Sequence, residues 1–150
     1  MRIVYFSNIF FTDCDFPLIK TFQKMGQNIL YIINCSSMKG GLFNIKTYLP
    51  ENGLFKAKDI PEFCKYANYM DLSNIYVITK NHRLFNRENY HNFKKVNQLI
   101  KDFNPDVIHI TSTPGLSELQ TYRFWYKTVL TVHDPFTHSG ETNFNNEWKR

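Results

Sequence analysis

The densest chemistry in the chain lies near its end, where the apolar run VLTV leads into HDPFTHSGE. His133 can donate a hydrogen bond to a hydroxyl, carbonyl or phosphate oxygen, or exchange a proton near neutral pH. Position alone leaves it open whether His133 touches a ligand or is a structural histidine satisfied by neighbouring backbone. Asp134 can orient His133 or accept from a ligand hydroxyl. An aspartate before Pro135 also stabilises a turn through backbone N–H groups, and the turn reading leads. His138 and Ser139 can bind an acceptor or cap a helix starting near Gly140; Ser139 suits the cap, because its short hydroxyl meets an exposed N–H. Glu141 reads as a solvated first-turn carboxylate.

A second group, Asp13, Cys14 and Asp15, sits in SNIFFTDCDFP near the start. Paired carboxylates can share acid and base roles, but proximity in sequence does not establish such a pair. Asp15 reads as the cap of the following helix, and Asp13 either points into a crevice to bind an acceptor or keeps the loop soluble. Cys14 has no evident activating base and makes a poor nucleophile. Thr111, Ser112, Thr113 and Gly115 follow the run VIHI; they offer hydroxyls and close backbone approach to a ligand, or form an ordinary turn around Pro114. His109 shares strand parity with Val107, which makes it a structural histidine on a packed layer. His82 and His91 lie among Lys80, Arg83, Arg87, Lys94 and Lys95, a basic face that is either simply solvated or turned to an anionic surface.

The five histidines contain no HExxH pattern, and Cys14, Cys35 and Cys64 have neither paired spacing nor an even count, so no metal site is predicted. GxGxxG and GxxxxGK[ST] are both missing, which removes the local cues for a dinucleotide fingerprint and a P-loop. Basic and aromatic residues form no recognisable nucleic-acid module, and no specific nucleic-acid partner is predicted.

These residues need elements to hold them. The chain has 150 residues, 43% hydrophobic and 17% aromatic, with a net charge of +5. That is the size and burial capacity of one globular domain, and it excludes both a large two-domain enzyme and a disordered chain. The cysteine pattern fits a reducing compartment. The opening MRIVYFSNIFF is too short and interrupted for a spanning helix or a cleaved signal, so a cytoplasmic domain is expected.

Strands are expected at Arg2 to Ser7, Asn28 to Asn34, Asn74 to Thr79, Asp106 to Thr111 and Thr128 to Val132. Helices are expected at Asp15 to Met25, closed by Gly26, at Lys58 to Met70, at Glu88 to Phe103, and a short one around Leu116 to Phe124. Between them, Cys35 to Gly53 holds the adjacent Gly40 and Gly41 and reads as a short hairpin or irregular excursion. The alternation predicts an α/β fold: a Rossmann-like, mostly parallel sheet flanked by helices in a three-layer sandwich. Its strand order is not fixed by pattern. Ligand loops belong at the carboxyl ends of such strands, which selects Asn8 to Phe16, Thr111 to Ser117 and His133 to Glu141.

The opening RIVYFSNIF, the segment NPDVIHI and above all VLTVHDPFTHSGE resemble the N-terminal domain of GT-B glycosyltransferases, particularly the family 4-like group, over nearly all 150 residues. The resemblance implies two Rossmann-like domains facing a cleft, the first handling acceptor and the second supplying most contacts to a nucleotide-sugar donor. It implies that this chain is the first, acceptor-side domain, truncated before its C-terminal partner domain and inactive alone. The full-length enzyme would move a hexose-like sugar from a nucleoside diphosphate to the hydroxyl of a sugar or lipid-linked acceptor, with no cofactor beyond that donor substrate. His133 falls where the family places a cleft histidine supporting transfer; Asp13, Asp134, His138, Thr111 and Ser112 become substrate-binding candidates. An anionic membrane surface, at the inner face of the cytoplasmic membrane, is an expected contact for the basic stretch from Arg83 to Lys95. Relatives carry a glycine-rich loop after the first strand, and SNIFFTDCDFPLIK has no adjacent glycines there. The alternative is a noncatalytic α/β ligand-binding or protein-interaction domain.

Overall fold

The computed structural model describes residues 1–35, 38–50, 52–80, 87–111 and 126–131. Strand β1 spans Arg2–Asn8 and β2 spans Asn28–Cys35, the latter buried from Ile29 to Cys35 without a break. A continuous apolar run of this kind needs cover on both faces, and the fold provides it. Between them, a 3-10 turn at Ile9–Phe11 leads into helix α1, Thr12–Lys24. The helix therefore starts three residues before Asp15, and Gly26, in the left-handed region at φ +72°, turns the chain toward β2.

The excursion after β2 contains a hairpin, β3 at Lys39–Gly40 paired antiparallel with β4 at Phe43–Asn44. A short strand that the sequence did not reveal, β5 at Leu54–Lys56, follows. The helix expected from Lys58 to Met70 is instead a 3-10 turn at Ala57–Asp59, a four-residue helix α2 at Pro61–Cys64, and further turns. Phe63 and Met70 are buried, whereas Cys64 and Ala67 are exposed, so no continuous apolar stripe sustains a longer helix. Strand β6 spans Ile75–Thr79, and helix α3 spans Arg87–Phe103 with Asn89, Phe93, Val96 and Ile100 on its inner face at helical spacing. Asn104, at φ +50°, and Pro105 end it before β7, Val107–Ile110, and β8, Thr128–Leu130. The expected helix around Leu116 to Phe124 and the end of the last strand at Val132 lie outside the described residues.

The six-stranded sheet has the order β5-β6-β2-β1-β7-β8, with every neighbouring pair parallel except β5 against β6. Counting the parallel strands along the chain, the order is third, second, first, fourth, fifth. This is the doubly wound, Rossmann-like arrangement, with a helix layer on each face. Odd-numbered positions of β1 and β2, including Ile3, Tyr5, Ile29, Tyr31 and Ile33, pack with Phe16 and Ile19 of α1. Even-numbered positions, including Val4, Phe6, Leu30 and Ile32, pack with Phe93, Val96 and Ile100 of α3.

Candidate functional site

In this strand order the chain runs to one side of β1 through β2 and β6, then crosses to the other side at β7. The carboxyl ends of β1 and β7 therefore flank the topological switch point, the place where doubly wound sheets bind ligands. Thr111 stands there. Its N–H donates to the Phe6 carbonyl (3.0 Å), the residue is 3% exposed, and its Oγ1 makes no hydrogen bond among the described residues. The hydroxyl is buried beside Tyr5, so it lies just beneath the surface at the switch point, and Thr111 is the substrate-binding candidate that the described residues place there.

Under the switch point lies a buried polar cluster centred on Asp15. Tyr5 Oη donates to Asp15 Oδ1 (2.6 Å), and Ser7 Oγ (2.5 Å) and Tyr31 Oη (3.0 Å) donate to Oδ2. Ser7 Oγ and Tyr31 Oη are themselves 2.9 Å apart. Asp15 is 2% exposed and does not cap α1: with the helix starting at Thr12, it lies one turn in and faces the sheet. Burial, then the hydrogen bond to Asp15 and its negative charge, raise the Tyr5 hydroxyl pKa well above that of a free tyrosine. Thr111 acts on Tyr5 in the opposite sense, without hydrogen-bond geometry. Burial and then the Asp15 charge likewise raise Tyr31. The arrangement keeps both phenols protonated as donors and ties α1 to β1 and β2. With three hydroxyls donating to it in a closed site, Asp15 positions the β1 to α1 loop and is no free acid or base.

The hairpin closes over the same loop. Leu42 N–H donates to Thr12 Oγ1 (3.0 Å), which in turn donates to the Ile9 carbonyl (2.8 Å). Gly41, at φ +51°, lies so close that an added Cβ would meet Thr12 Oγ1 and come within 2.6 Å of the Ile9 carbonyl oxygen. A Cβ on Gly40 would lie 2.6 Å from the Phe10 ring. The adjacent glycines missing from the first loop thus occur on the hairpin, where they admit this loop rather than a phosphate. The hairpin is fixed from behind by Phe43 stacked on Phe63 (3.9 Å between centroids). The Glu62 carboxylate accepts from the N–H groups of Lys46 (2.7 Å) and Thr47 (2.9 Å), and the Thr47 and Lys46 bonds hold its pKa down to about 2.

Of the remaining candidates, Asp13 is exposed in the first turn of α1, with Oδ1 accepting from the Cys14 N–H (3.0 Å). The Asp13 charge raises the exposed Cys14 thiol pKa, which disfavours the thiolate. His109 is half-buried on the same sheet face as Val107, in line with its structural reading. Its ring meets Tyr5 edge-on (4.9 Å), and Nε2 shares a hydrogen bond with Thr131 Oγ1 (2.7 Å). Burial lowers its pKa, against the pull of Asp15. Ser112, His133, Asp134 and His138 lie outside the described residues, as do His82 and Arg83. His91, Lys94 and Lys95 are exposed on α3. Among the described residues no group of three or more His, Cys, Asp or Glu could hold a metal ion, and no helix is long and apolar enough to cross a membrane.

The sequence signal for the Asp15 cluster was the composition of one sheet face. Tyr5 and Tyr31, paired at the middle of adjacent strands, and Ser7, near the end of β1, share one face, and hydroxyls buried there require an acceptor from the covering helix.

No protein-family model matches the chain, and no curated protein matches it either. Among solved structures it is similar to a glycosyltransferase from Rickettsia africae ESF-5, with a TM-score of 0.49 and 18% sequence identity. The match covers 99% of this chain and 32% of that one, so the chain spans about one third of that protein's length.

Proposed function

We propose that this chain is the acceptor-side, N-terminal domain of a GT-B glycosyltransferase. Joined to a donor-binding domain, it would transfer a hexose-like sugar from a nucleoside diphosphate to the hydroxyl of a sugar or lipid-linked acceptor. The observation that carries the reading is the strand order, which puts Thr111 at the topological switch point, one strand away from β8, the strand that runs toward the HDPFTHSGE segment. Support also comes from the hairpin, whose Gly41 and Leu42 sit on Thr12 at the start of α1. The hairpin lies against that helix end, which suits a domain whose donor phosphates are bound by its partner. In this reading His133 contacts the donor sugar or phosphate and supports transfer, Asp134 and His138 line the rim, and closure of the two domains orients the reactants.

The test is a transfer assay on the product of the entire natural reading frame, with labelled nucleoside-diphosphate hexoses and candidate acceptors. The wild type is expected to form a glycosylated product, and H133A to lower turnover by about a hundredfold or more with thermal stability nearly unchanged. Near-normal turnover of H133A refutes the catalytic role, and an unfolded variant assigns His133 to the structure instead.

A further inference from the structure

We propose that the Lys39–Asn44 hairpin and the Phe10 turn beside it form a docking tip for an anionic lipid surface. This places the membrane contact on the hairpin rather than on the basic stretch from Arg83 to Lys95, and it does not depend on the transferase reading.

Large apolar side chains face solvent on the hairpin and the adjoining turn, Phe10 at 51%, Met38 at 37% and Leu42 at 36% exposure, and Tyr48, at 85%, lies farther along the same excursion. They are held outward by a rigid base. Phe43 is buried between Phe16, Phe63 and Tyr66, the Ile45 N–H donates to the Met38 carbonyl (2.7 Å), and Leu42 is tied to Thr12. Glu62 clamps the backbone of Lys46 and Thr47. A loop fixed in this way loses little conformational freedom on docking.

Charge selects the partner. From Met38 to Pro50 the charged residues are Lys39 and Lys46, and the carboxylate beside them, Glu62, is taken up by the N–H groups of Lys46 and Thr47. Lys39 and Lys46 are exposed on the same excursion as Met38, Leu42 and Tyr48. Lysine is depleted from protein–protein contact patches. Apolar side chains interleaved with lysine, with an aromatic at the edge, match the boundary between headgroups and acyl chains. Each lysine near an anionic leaflet strengthens binding by about fivefold at physiological salt.

The experiment is co-sedimentation of the protein with vesicles of equal parts phosphatidylglycerol and phosphatidylcholine, against phosphatidylcholine alone. Wild type is expected to sediment with the anionic vesicles and to dissociate as salt is raised. M38D/L42D and K39E/K46E are each expected to weaken binding by at least about tenfold. K94E/K95E on α3 should stay within about twofold of wild type. Far-UV circular dichroism and thermal midpoints verify that the variants are folded; if M38D/L42D unfolds, M38S/L42S replaces it with the same expectation. Wild type that ignores anionic vesicles, hairpin variants that bind as wild type does, or loss confined to K94E/K95E each overturn the proposal and leave the tip to a protein partner. Because no sugar is involved, a failed transfer assay leaves this result standing, and the reverse also holds.

Discussion

Replacing Asp15 with alanine removes the acceptor shared by three buried hydroxyls. Tyr5, Ser7 and Tyr31 donate to it at 2.6, 2.5 and 3.0 Å. Hydrogen bonds to a charged acceptor contribute about 1.5–3 kcal/mol each, so the lower end of that range gives about 4–5 kcal/mol for the set. Two effects offset part of this loss: Ser7 and Tyr31 can retain their mutual bond of 2.9 Å, and the cost of burying a carboxylate disappears. The expected net destabilisation is about 3 kcal/mol, a large share of the roughly 5–15 kcal/mol that holds a domain together. For a chain of this length it corresponds to a fall in Tm of about 6–12 °C. Urea unfolding followed by circular dichroism measures it directly. In a double-mutant cycle Y5F should cost about 1–2 kcal/mol in the wild type and much less in D15A, because its acceptor has already gone. A D15A penalty below about 1 kcal/mol, or additive effects in the cycle, would refute the assignment of Asp15 as the tie between α1 and the sheet.

Three further outcomes follow from the same geometry. Glu62 has a folded-state pKa of about 2, below the ordinary carboxylate value. Its contribution is therefore complete above the unfolded pKa near 4.3 and is lost as pH falls toward 2; E62Q should flatten the acid limb of a Tm-against-pH curve. Tyr5 and Tyr31 are shifted upward, so the unfolded chain releases their protons near pH 10 while the folded chain retains them. Stability should fall as pH rises past about 10, and Y5F/Y31F should show a shallower alkaline decline in Tm. G41A places a Cβ against Thr12 and the Ile9 carbonyl at φ +51° and should lower stability by more than about 1 kcal/mol in urea unfolding. An equal loss in Gly26→Ala, whose added Cβ meets nothing within 4 Å, would show that backbone conformation rather than close approach governs the Gly41 site.

Strands β1, β2 and β6 were legible because each is a compact apolar run, as in ILYII of β2, that only a covered strand can bury, whereas the residues of β8 are exposed. Helix α3 was legible from its apolar spacing. What the sequence concealed depended on contacts distant in the chain. Asp15 resembles a cap when α1 is taken to start there. The 3-10 turn at Ile9–Phe11 moves the helix start to Thr12 and rotates Asp15 onto the sheet, where Tyr5 and Tyr31 await it. The region from Lys58 to Met70 has helical residues without a sustained stripe, and aromatic packing of Phe63 on Phe43 determines its course instead. Strand β5, three residues long and held at the edge by β6, is too short for alternation to reveal. At the candidate site, Thr111 was legible as a polar residue at a strand end. That its hydroxyl is buried beside Tyr5 is a property of packing alone.

The claim that the switch point between β1 and β7 belongs to the acceptor side of a transferase is tested most directly by Thr111→Val in the product of the entire natural reading frame, assayed by steady-state kinetics in both substrates. Removing the hydroxyl that supports the acceptor site from beneath should raise the acceptor KM by about three- to tenfold, with the donor KM within about twofold of wild type. An acceptor KM that does not move, or a change confined to the donor KM, would contradict the account.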